Sequence, residues 1–331
     1  MAFDAILGQA SAIARLKQLL AGGRVPSALL FLGQHNVGKR TTALTLAKAL
    51  NCRSGSGDSC DQCPSCRKID EGVHPDVEVV EPDGQFIKID QIRAVGEKLA
   101  MIPLEARKRV VILSRAEQMN PQSANAFLKT LEEPPGDTLI ILCALSASQL
   151  PETIVSRCLP LRFGMLNTEI LHAVIGTGKA LNEEEKEFAV RYAQGRLRPE
   201  LEGSAAGWMV LRDEVLHQME NLTPAAYGDI SEKFAKWSSG EEWRFLLEWL
   251  ETWFRDLSLL GSGGNPARLI NADRMEALSQ WSRRFPPERA DLCYRKVLET
   301  RRGIAHNVNR ALALDRLWIA FKETALHGGR A

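Results

Sequence analysis

Residues 33–41 read GQHNVGKRT, a glycine-rich segment with a lysine near its end. The backbone N–H groups of such a loop can surround phosphate oxygens, and a following helix adds positive potential at its N-terminus. In a P-loop the lysine contacts the β- and γ-phosphates, and the next residue is a Ser or Thr that binds Mg²⁺. Here Arg40 takes that place and Thr41 comes one residue later.

This segment predicts a P-loop fold with a degenerate nucleotide site, formed by Gly33, Gly38, Lys39, Arg40 and Thr41. A glycine-rich turn between a strand and a helix that never holds a nucleotide is the alternative interpretation.

A P-loop enzyme also needs acidic residues at the end of a neighbouring strand, where they hold Mg²⁺ and orient the attacking water. The apolar run at 109–113 (RVVIL) predicts that strand, and it is followed by Ser114 and Arg115 where two acids are expected. We expect Glu117, beyond the strand end, to be exposed at the start of a helix. Asp137 precedes the next strand and so lies at the wrong edge of the sheet. The sequence therefore predicts no ATP hydrolysis by this chain, and it leaves open whether the loop still holds a nucleotide.

Four cysteines have the spacing C-x7-C-x2-C-x2-C, namely Cys52, Cys60, Cys63 and Cys66. Four thiolates satisfy tetrahedral Zn²⁺ and leave no open position, so the pattern predicts a structural zinc site. An iron–sulfur cluster or free thiols are the alternatives. His74 is a possible substitute ligand, although we expect it in a turn before the next strand. We expect the isolated cysteines to be packing residues, namely Cys143, Cys158 and Cys293.

Short apolar runs that alternate with helical patterns must position these residues. They predict strands at 28–32, 77–80, 109–113, 138–142 and 159–163. Strands of this kind separated by helices favour an α/β fold with a parallel sheet covered on both faces. One helix has clear boundaries, because Asn120 is a good N-cap, Pro121 suits the first helical position, and two prolines at 134 and 135 end it.

Strand signals stop after about position 165, which predicts three parts: a P-loop core at 1–164 with the cysteine module at about 52–66, a small helical domain at 165–205, and an all-helical domain at 207–331. A small-residue stretch at 202–207 (EGSAAG) reads as a linker. All seven tryptophans lie beyond it, which supports a separate C-terminal domain.

Composition excludes several classes of protein. The chain has 331 residues, 45% hydrophobic and 25% charged, which is ordinary globular composition and excludes a collagen-like, disordered or small disulfide-bonded protein. A net charge of +1 gives no general attraction to nucleic acid. The sequence has neither a signal-peptide pattern at its start nor a long apolar run, so we expect a cytoplasmic protein with no membrane partner.

Together, GQHNVGKRT, the cysteine cluster, FLKTLEEPP at 127–135 and LPETIVSRC at 150–158 resemble bacterial clamp-loader subunits of DNA polymerase III. The resemblance covers 1–165 strongly and the rest weakly. It implies an AAA+ P-loop domain with an inserted zinc module, a small helical lid domain and an all-α C-terminal collar domain. The related gamma/tau motor subunits keep an intact phosphate loop and an acidic pair, so the departures at Arg40, Ser114 and Arg115 are those expected of a non-hydrolysing partner.

The resemblance also implies a role for Arg157. In the family the arginine of the Ser-Arg-Cys motif enters the nucleotide site of the neighbouring motor subunit as a trans arginine finger, and the motif is unchanged here. Without the motif, a solvated surface charge would be the favoured interpretation. The family's sensor position after the strand at Thr138 normally carries a hydroxyl, which is absent from Cys143-Ala144-Leu145 here. Arg198, in GRLR at 195–198, matches the second sensor position only loosely.

The implied partners are the gamma/tau and delta subunits, the sliding clamp, and primed DNA within the complex. The chain would then be a subunit of a DNA-directed DNA polymerase holoenzyme with no ATPase activity of its own. A gamma/tau-like motor subunit that hydrolyses ATP is the alternative, and a stand-alone zinc-dependent nucleic-acid-binding module is a third hypothesis. One stretch is clearly basic, and we expect it to be a solvated face: Lys88, Arg93, Lys98, Arg107, Lys108 and Arg109.

Overall fold

The structure is a computed structural model that describes residues 2–55, 57–175, 181–198, 205–220, 242–305 and 308–326. Trp237 and residues 202–204 of the predicted linker lie outside these ranges. The chain forms two compact units, one of Met1–Ala173 with Gly195–Arg198 and one of Val174–Gln194 with Pro199–Ala331.

The first unit contains a five-stranded parallel sheet, β2-β3-β4-β1-β5. Its strands are β1 Ala28–Leu32, β2 Val77–Val80, β3 Arg109–Leu113, β4 Thr138–Ala144 and β5 Leu159–Arg162. The predicted α/β class and parallel sheet are therefore confirmed. Observed β4 extends two residues beyond its predicted end, and β5 stops one residue earlier.

Helices cover both faces of this sheet. They are α1 Ala10–Ala21, α2 Lys39–Asn51, α3 Pro64–Asp70, α4 Ile89–Leu99, α5 Pro121–Glu132 and α6 Glu152–Val155. A further helix, α7 Thr168–Val174, follows the last strand. Alternate residues of β1 enter two different cores: Leu29 and Phe31 pack with α1 and α2, and Leu30 packs with α4 and α5. Burial on both faces explains why each strand is a continuous apolar run.

Helix α5 begins as the sequence predicts. The Asn120 side chain accepts a hydrogen bond from the Ser123 backbone N–H at 2.8 Å, and Pro121 takes the first helical position. Phe127 and Leu131 of this helix are buried against the sheet. The helix is thus fixed at its start by a cap and along its length by packing.

Arg109 is buried at the start of β3 and does not belong to a solvated basic face, so that expectation is wrong for this residue. Its guanidinium bonds the Asp76 carboxylate at 2.7 Å and the carbonyls of Lys98, Met101 and Ile102. Burial would raise the pKa of Asp76, but backbone N–H groups from Glu105 and its neighbours, together with Arg109, lower it overall.

The described residues of the second unit form helices joined by turns and contain no strand. Its helices are α8 Glu183–Ala193, α9 Ala205–Glu220, α10 Glu242–Gly261, α11 Met275–Arg284, α12 Pro287–Ala305 and α13 Arg310–Leu326. Helix α9 begins at Ala205, so the predicted linker is wrong for 205–207. Buried aromatic side chains join the helices, as where Phe254 of α10 meets Phe321 of α13 at 4.8 Å between ring centroids.

Candidate nucleotide, metal and arginine sites

The phosphate loop connects β1 to α2, which is the context that a P-loop requires. At Gly33 the chain passes so close to β5 that a Cβ atom would lie 2.4 Å from the Phe163 carbonyl oxygen. Gly38 has φ 98° and forms the N-cap of α2, a conformation that favours glycine. The glycines of this loop thus have a role in the fold itself, independent of any ligand.

Lys39 is bonded within its own loop. Its Nζ donates to the carbonyls of Gly33 at 2.5 Å and Gln34 at 2.6 Å, and the side chain is buried. Burial lowers the pKa of Lys39 below its ordinary value. The ammonium that would contact phosphates therefore already has two carbonyl partners.

The two residues after the lysine do not form a Mg²⁺ ligand set. The Arg40 guanidinium pairs with Glu81, just beyond β2, at 3.0 Å. Thr41 is exposed, and the hydroxyl of Thr42 donates to the Gly38 carbonyl at 2.8 Å. The loss of a metal-binding hydroxyl at this loop stays a prediction.

At the end of β3, Ser114 donates its backbone N–H to the Val80 carbonyl at 2.9 Å, and Arg115 is exposed with φ 53°. Glu117 was expected to be exposed and is instead half-buried, because the 3-10 turn Ala116–Gln118 turns the chain back. Its negative charge acts on Lys39 and on His35 of the phosphate loop. A carboxylate therefore faces the loop, but it does not occupy either position where the acidic pair belongs.

Residues 195–198 (GRLR) lie against the phosphate loop, where the Leu197 backbone N–H donates to the Asn36 carbonyl at 2.7 Å. Burial lowers the pKa of His35, and the positive charge of Arg196 lowers it further. Sequence reasoning considered Arg198 and missed Arg196, because a loose motif match does not fix which arginine of the segment faces the loop.

The four predicted zinc ligands come together in space. The sulfur atoms of Cys52, Cys60, Cys63 and Cys66 all lie within 4.8 Å of one another. Four sulfurs at about 2.3 Å from one zinc ion would be about 3.8 Å apart in a tetrahedron. The donor set therefore fits a tetrahedral metal of the zinc type.

Local structure positions the sulfurs. Helix α2 ends at Asn51 just before Cys52, and Cys63 is the N-cap of α3, so one helix end meets one helix start. The Cys63 backbone N–H donates to the Cys60 sulfur at 3.3 Å. Backbone N–H groups of Gln62 and Cys63 lower the pKa of Cys60 to about 6, which favours the thiolate form that metals bind.

A buried lysine ties α2 to the cysteine module. The Lys48 ammonium is almost fully buried and pairs with Asp61 at 2.5 Å and Asp70 at 2.9 Å. His74 takes no part in the cluster, because its Nδ1 accepts from the Asp76 backbone N–H at 3.1 Å and its Nε2 lies 3.3 Å from the Ser65 hydroxyl. The expected turn before β2 is present, because the Val77 backbone N–H donates to the His74 carbonyl at 3.2 Å.

Arg157 lies between α6 and β5, and its side chain is 35% exposed. Its guanidinium donates to the Glu132 carboxylate at 2.6 Å and to the Thr153 carbonyl at 2.8 Å. The three isolated cysteines, Cys143, Cys158 and Cys293, are buried, as expected of packing residues.

Two family models match the chain. The model described as DNA polymerase III, delta subunit, matches residues 8–167, and the model described as DNA polymerase III, delta subunit, C terminal, matches 207–323. Together with the parallel sheet, the P-loop and the helical C-terminal region, these matches define an AAA+ clamp-loader class of protein.

DNA polymerase III subunit delta' of Bacillus subtilis is 30% identical over 91% of this chain and 92% of its own length. Subunit delta' of Pseudomonas aeruginosa is 42% identical over 41% of this chain and 43% of its own length. Subunit tau of Escherichia coli is 33% identical over 60% of this chain and 32% of its own length. The chain belongs to the delta-prime family of DNA polymerase III clamp-loader subunits.

Among the described residues, no helix combines the length and apolar character needed to cross a membrane.

Proposed function

We propose that this chain is a non-hydrolysing delta-prime subunit of the bacterial clamp loader and that it helps to load the sliding clamp onto primed DNA. In this role Arg157 enters the nucleotide site of a neighbouring ATPase subunit as an arginine finger. One observation carries the proposal: Ser114 and Arg115 stand where a motor subunit needs acids, while a partly exposed guanidinium at Arg157 remains available.

The phosphate loop supports the absence of hydrolysis. Without carboxylates after β3, no side chain there can hold Mg²⁺ through its water shell or orient a water for attack. Glu117 does not replace them, because it lies on the 3-10 turn beyond the strand end. The proposal needs no nucleotide in this loop, and binding without turnover is compatible with it.

The position of Arg157 supports a role in trans. A guanidinium beside a transferring phosphoryl group stabilises the charge that develops in the transition state, an effect of about 10³–10⁵ in rate for GTPases. Arg157 precedes β5, whereas the phosphate loop follows the parallel neighbouring strand β1, so the two lie at opposite edges of the sheet. Arg157 is therefore placed to act on the nucleotide of another subunit and not on one in its own loop.

We propose Zn²⁺ as the structural ion of the cysteine module. Four thiolates close the tetrahedral coordination and leave no position for a reactive water, so the ion would contribute stability and no chemistry. Its ligands are the converging side chains Cys52, Cys60, Cys63 and Cys66.

The proposed partners are the gamma/tau and delta subunits, the sliding clamp and primed DNA, all in the cytoplasm. The basic stretch gives little support to DNA binding by the isolated chain, because Lys88 pairs with Asp83, and Lys98 pairs with Glu78. We assign the P-loop core to 1–164, the lid domain to 165–205 and the collar domain to 207–331. The end of the sheet at Arg162 supports the first of these boundaries.

The test is Arg157→Ala in a complex reconstituted with ATPase subunits, delta, clamp and primed DNA. We expect assembly by size measurement to be unchanged and DNA-stimulated ATPase to fall. Arg162→Ala is the matched control, since Arg162 is an exposed arginine at the end of β5, the strand that follows Arg157. Unchanged ATPase in the Arg157→Ala complex would remove the trans role.

A gamma/tau-like motor is the second candidate, favoured by the match to subunit tau over 60% of this chain. It predicts ATP turnover by the isolated chain and a strong dependence of that turnover on Lys39. Absence of turnover in the purified chain would exclude it.

A further inference from the structure

The Arg157 guanidinium is held from two directions. Its Nη2 donates to Oε1 of Glu132 at 2.6 Å, and its Nη1 donates to the carbonyl of Thr153 at 2.8 Å. Thr153 belongs to the same short turn as Arg157, but Glu132 comes from the last residue of α5, 25 positions earlier. The contact therefore depends on the tertiary fold.

Glu132 is itself well fixed. The end of α5 is stabilised by the Glu133 backbone N–H, which donates to the Lys129 carbonyl at 3.1 Å. Leu131, the residue before Glu132, is buried in the core between α5 and the sheet. The carboxylate therefore projects from a rigid helix end, although it is 49% exposed itself.

An arginine side chain has five N–H donors in a planar fork. Glu132 takes one donor of Nη2, while the Thr153 carbonyl and the Ser156 hydroxyl, the latter at 3.4 Å, take the two donors of Nη1. The second Nη2 donor and the Nε–H remain to meet a phosphate oxygen. A long, flexible side chain that is already oriented loses less conformational entropy when it meets its target. Small misplacements of a catalytic group are costly in rate.

We infer that Glu132 is a positioning residue for Arg157, which orients the guanidinium toward a phosphoryl group bound by the neighbouring subunit. The inference rests on the proposed function, because it presupposes that Arg157 acts in trans. It adds a named residue of α5 to the machinery through which this chain acts on its partner.

The experiment compares Glu132→Ala, Glu132→Gln and Glu133→Ala in the reconstituted complex, with ATP turnover measured over a range of ATP concentrations. We expect Glu132→Ala to lower kcat about ten- to a hundredfold, with KM for ATP nearly unchanged, because only orientation in the transition state is lost. Glu132→Gln keeps an acceptor oxygen and should retain intermediate activity. Glu133→Ala removes an adjacent exposed acid and should stay within twofold of wild type.

The double variant Glu132→Ala with Arg157→Ala separates positioning from a general structural effect. If Glu132 acts through Arg157, the double variant has the activity of Arg157→Ala alone. Wild-type or raised turnover in Glu132→Ala would overturn the inference, as would an additive loss in the double variant. Those results leave the proposed function intact, whereas an unaffected Arg157→Ala complex refutes the proposed function itself. Thermal unfolding of each variant checks that the fold is preserved.

Discussion

The phosphate loop and the cysteine module lie at opposite ends of helix α2. They differ in how many of the residues that their chemistry requires are present. The module keeps all four thiols within 4.8 Å of one another and has a buried lysine that ties it to α2. The loop keeps its glycines and Lys39, but the Mg²⁺ hydroxyl and the acidic pair are missing.

On the proposed function, the phosphate loop is kept for the fold and not for catalysis. Gly33 lies too close to the Phe163 carbonyl for a side chain, and Gly38 caps α2 with a left-handed φ. The fold therefore needs both glycines whether or not phosphate binds. The four sulfurs of the module form a donor set that fits a tetrahedral metal, which is the role proposed for it. Substitutions should therefore act on the module through metal and stability, and on the loop through the fold.

The largest expected effect is at Cys63. Cys63→Ser removes one of four ligands, and loss of a structural metal is among the changes that cost more than about 4 kcal/mol in free energy of unfolding. Metal content should fall from about one zinc per chain toward zero. The measurements are elemental analysis after mild purification and urea unfolding.

Cys158→Ala is the control for Cys63→Ser, because it removes a buried thiol of the same unit outside the module. It should leave the metal content unchanged. A wild-type chain that contains no metal would count against the four-thiolate site.

The second largest loss of stability is expected at Asp76, which lies at the sheet edge beside the module. Asp76→Ala leaves the buried Arg109 guanidinium without its carboxylate, and breaking a buried ion pair costs about 3–5 kcal/mol. Urea unfolding at pH 7 measures this loss. A loss of unfolding free energy below about 1 kcal/mol is what an exposed ion pair contributes, and it would contradict the account.

The same variant has a defined pH dependence. Because the pKa of Asp76 is lower in the folded protein than in the unfolded chain, its contribution to stability is complete above the unfolded pKa of about 3.9 and is lost as the pH falls below it. The stability difference between wild type and Asp76→Ala should therefore narrow in acid. A stability difference that widens as the pH falls would mean that folding raises the pKa of Asp76, which contradicts the account.

A smaller effect is expected at Gly33. A methyl group there would lie 2.4 Å from the Phe163 carbonyl oxygen, and such overpacking costs about 1–3 kcal/mol. Gly164→Ala is the matched control, since a Cβ at Gly164 meets no described atom within 4 Å. Equal stability of the two variants would show that Gly33 is kept for a ligand and not for the fold.

The sequence predicts the sheet well because each strand is buried on both faces and is therefore a continuous apolar run. The cap at Asn120 and the cysteine spacing are equally local signals. Side-chain directions that depend on tertiary structure are not predictable in this way. Glu117 turns toward the loop because of a 3-10 turn, Arg109 is a charged residue inside the protein, and the pairing of Arg157 with Glu132 spans 25 residues.

The smallest expected effect is at Lys39. If the loop has no catalytic role, Lys39→Ala changes the DNA-stimulated ATPase of the reconstituted complex by less than about twofold, since a P-loop lysine matters only where a nucleotide is turned over. The measurement is steady-state ATPase at saturating ATP. A tenfold or greater loss of ATPase rate would show that this loop takes part in ATP turnover.

The central claim is that this chain does not cleave ATP and acts on a neighbour instead. Its most direct test is release of inorganic phosphate from ATP and Mg²⁺ by the purified chain alone, with and without primed DNA and clamp. The account predicts no release above the background of a Lys39→Ala sample. Phosphate release that requires Mg²⁺ and is abolished by Lys39→Ala would contradict it.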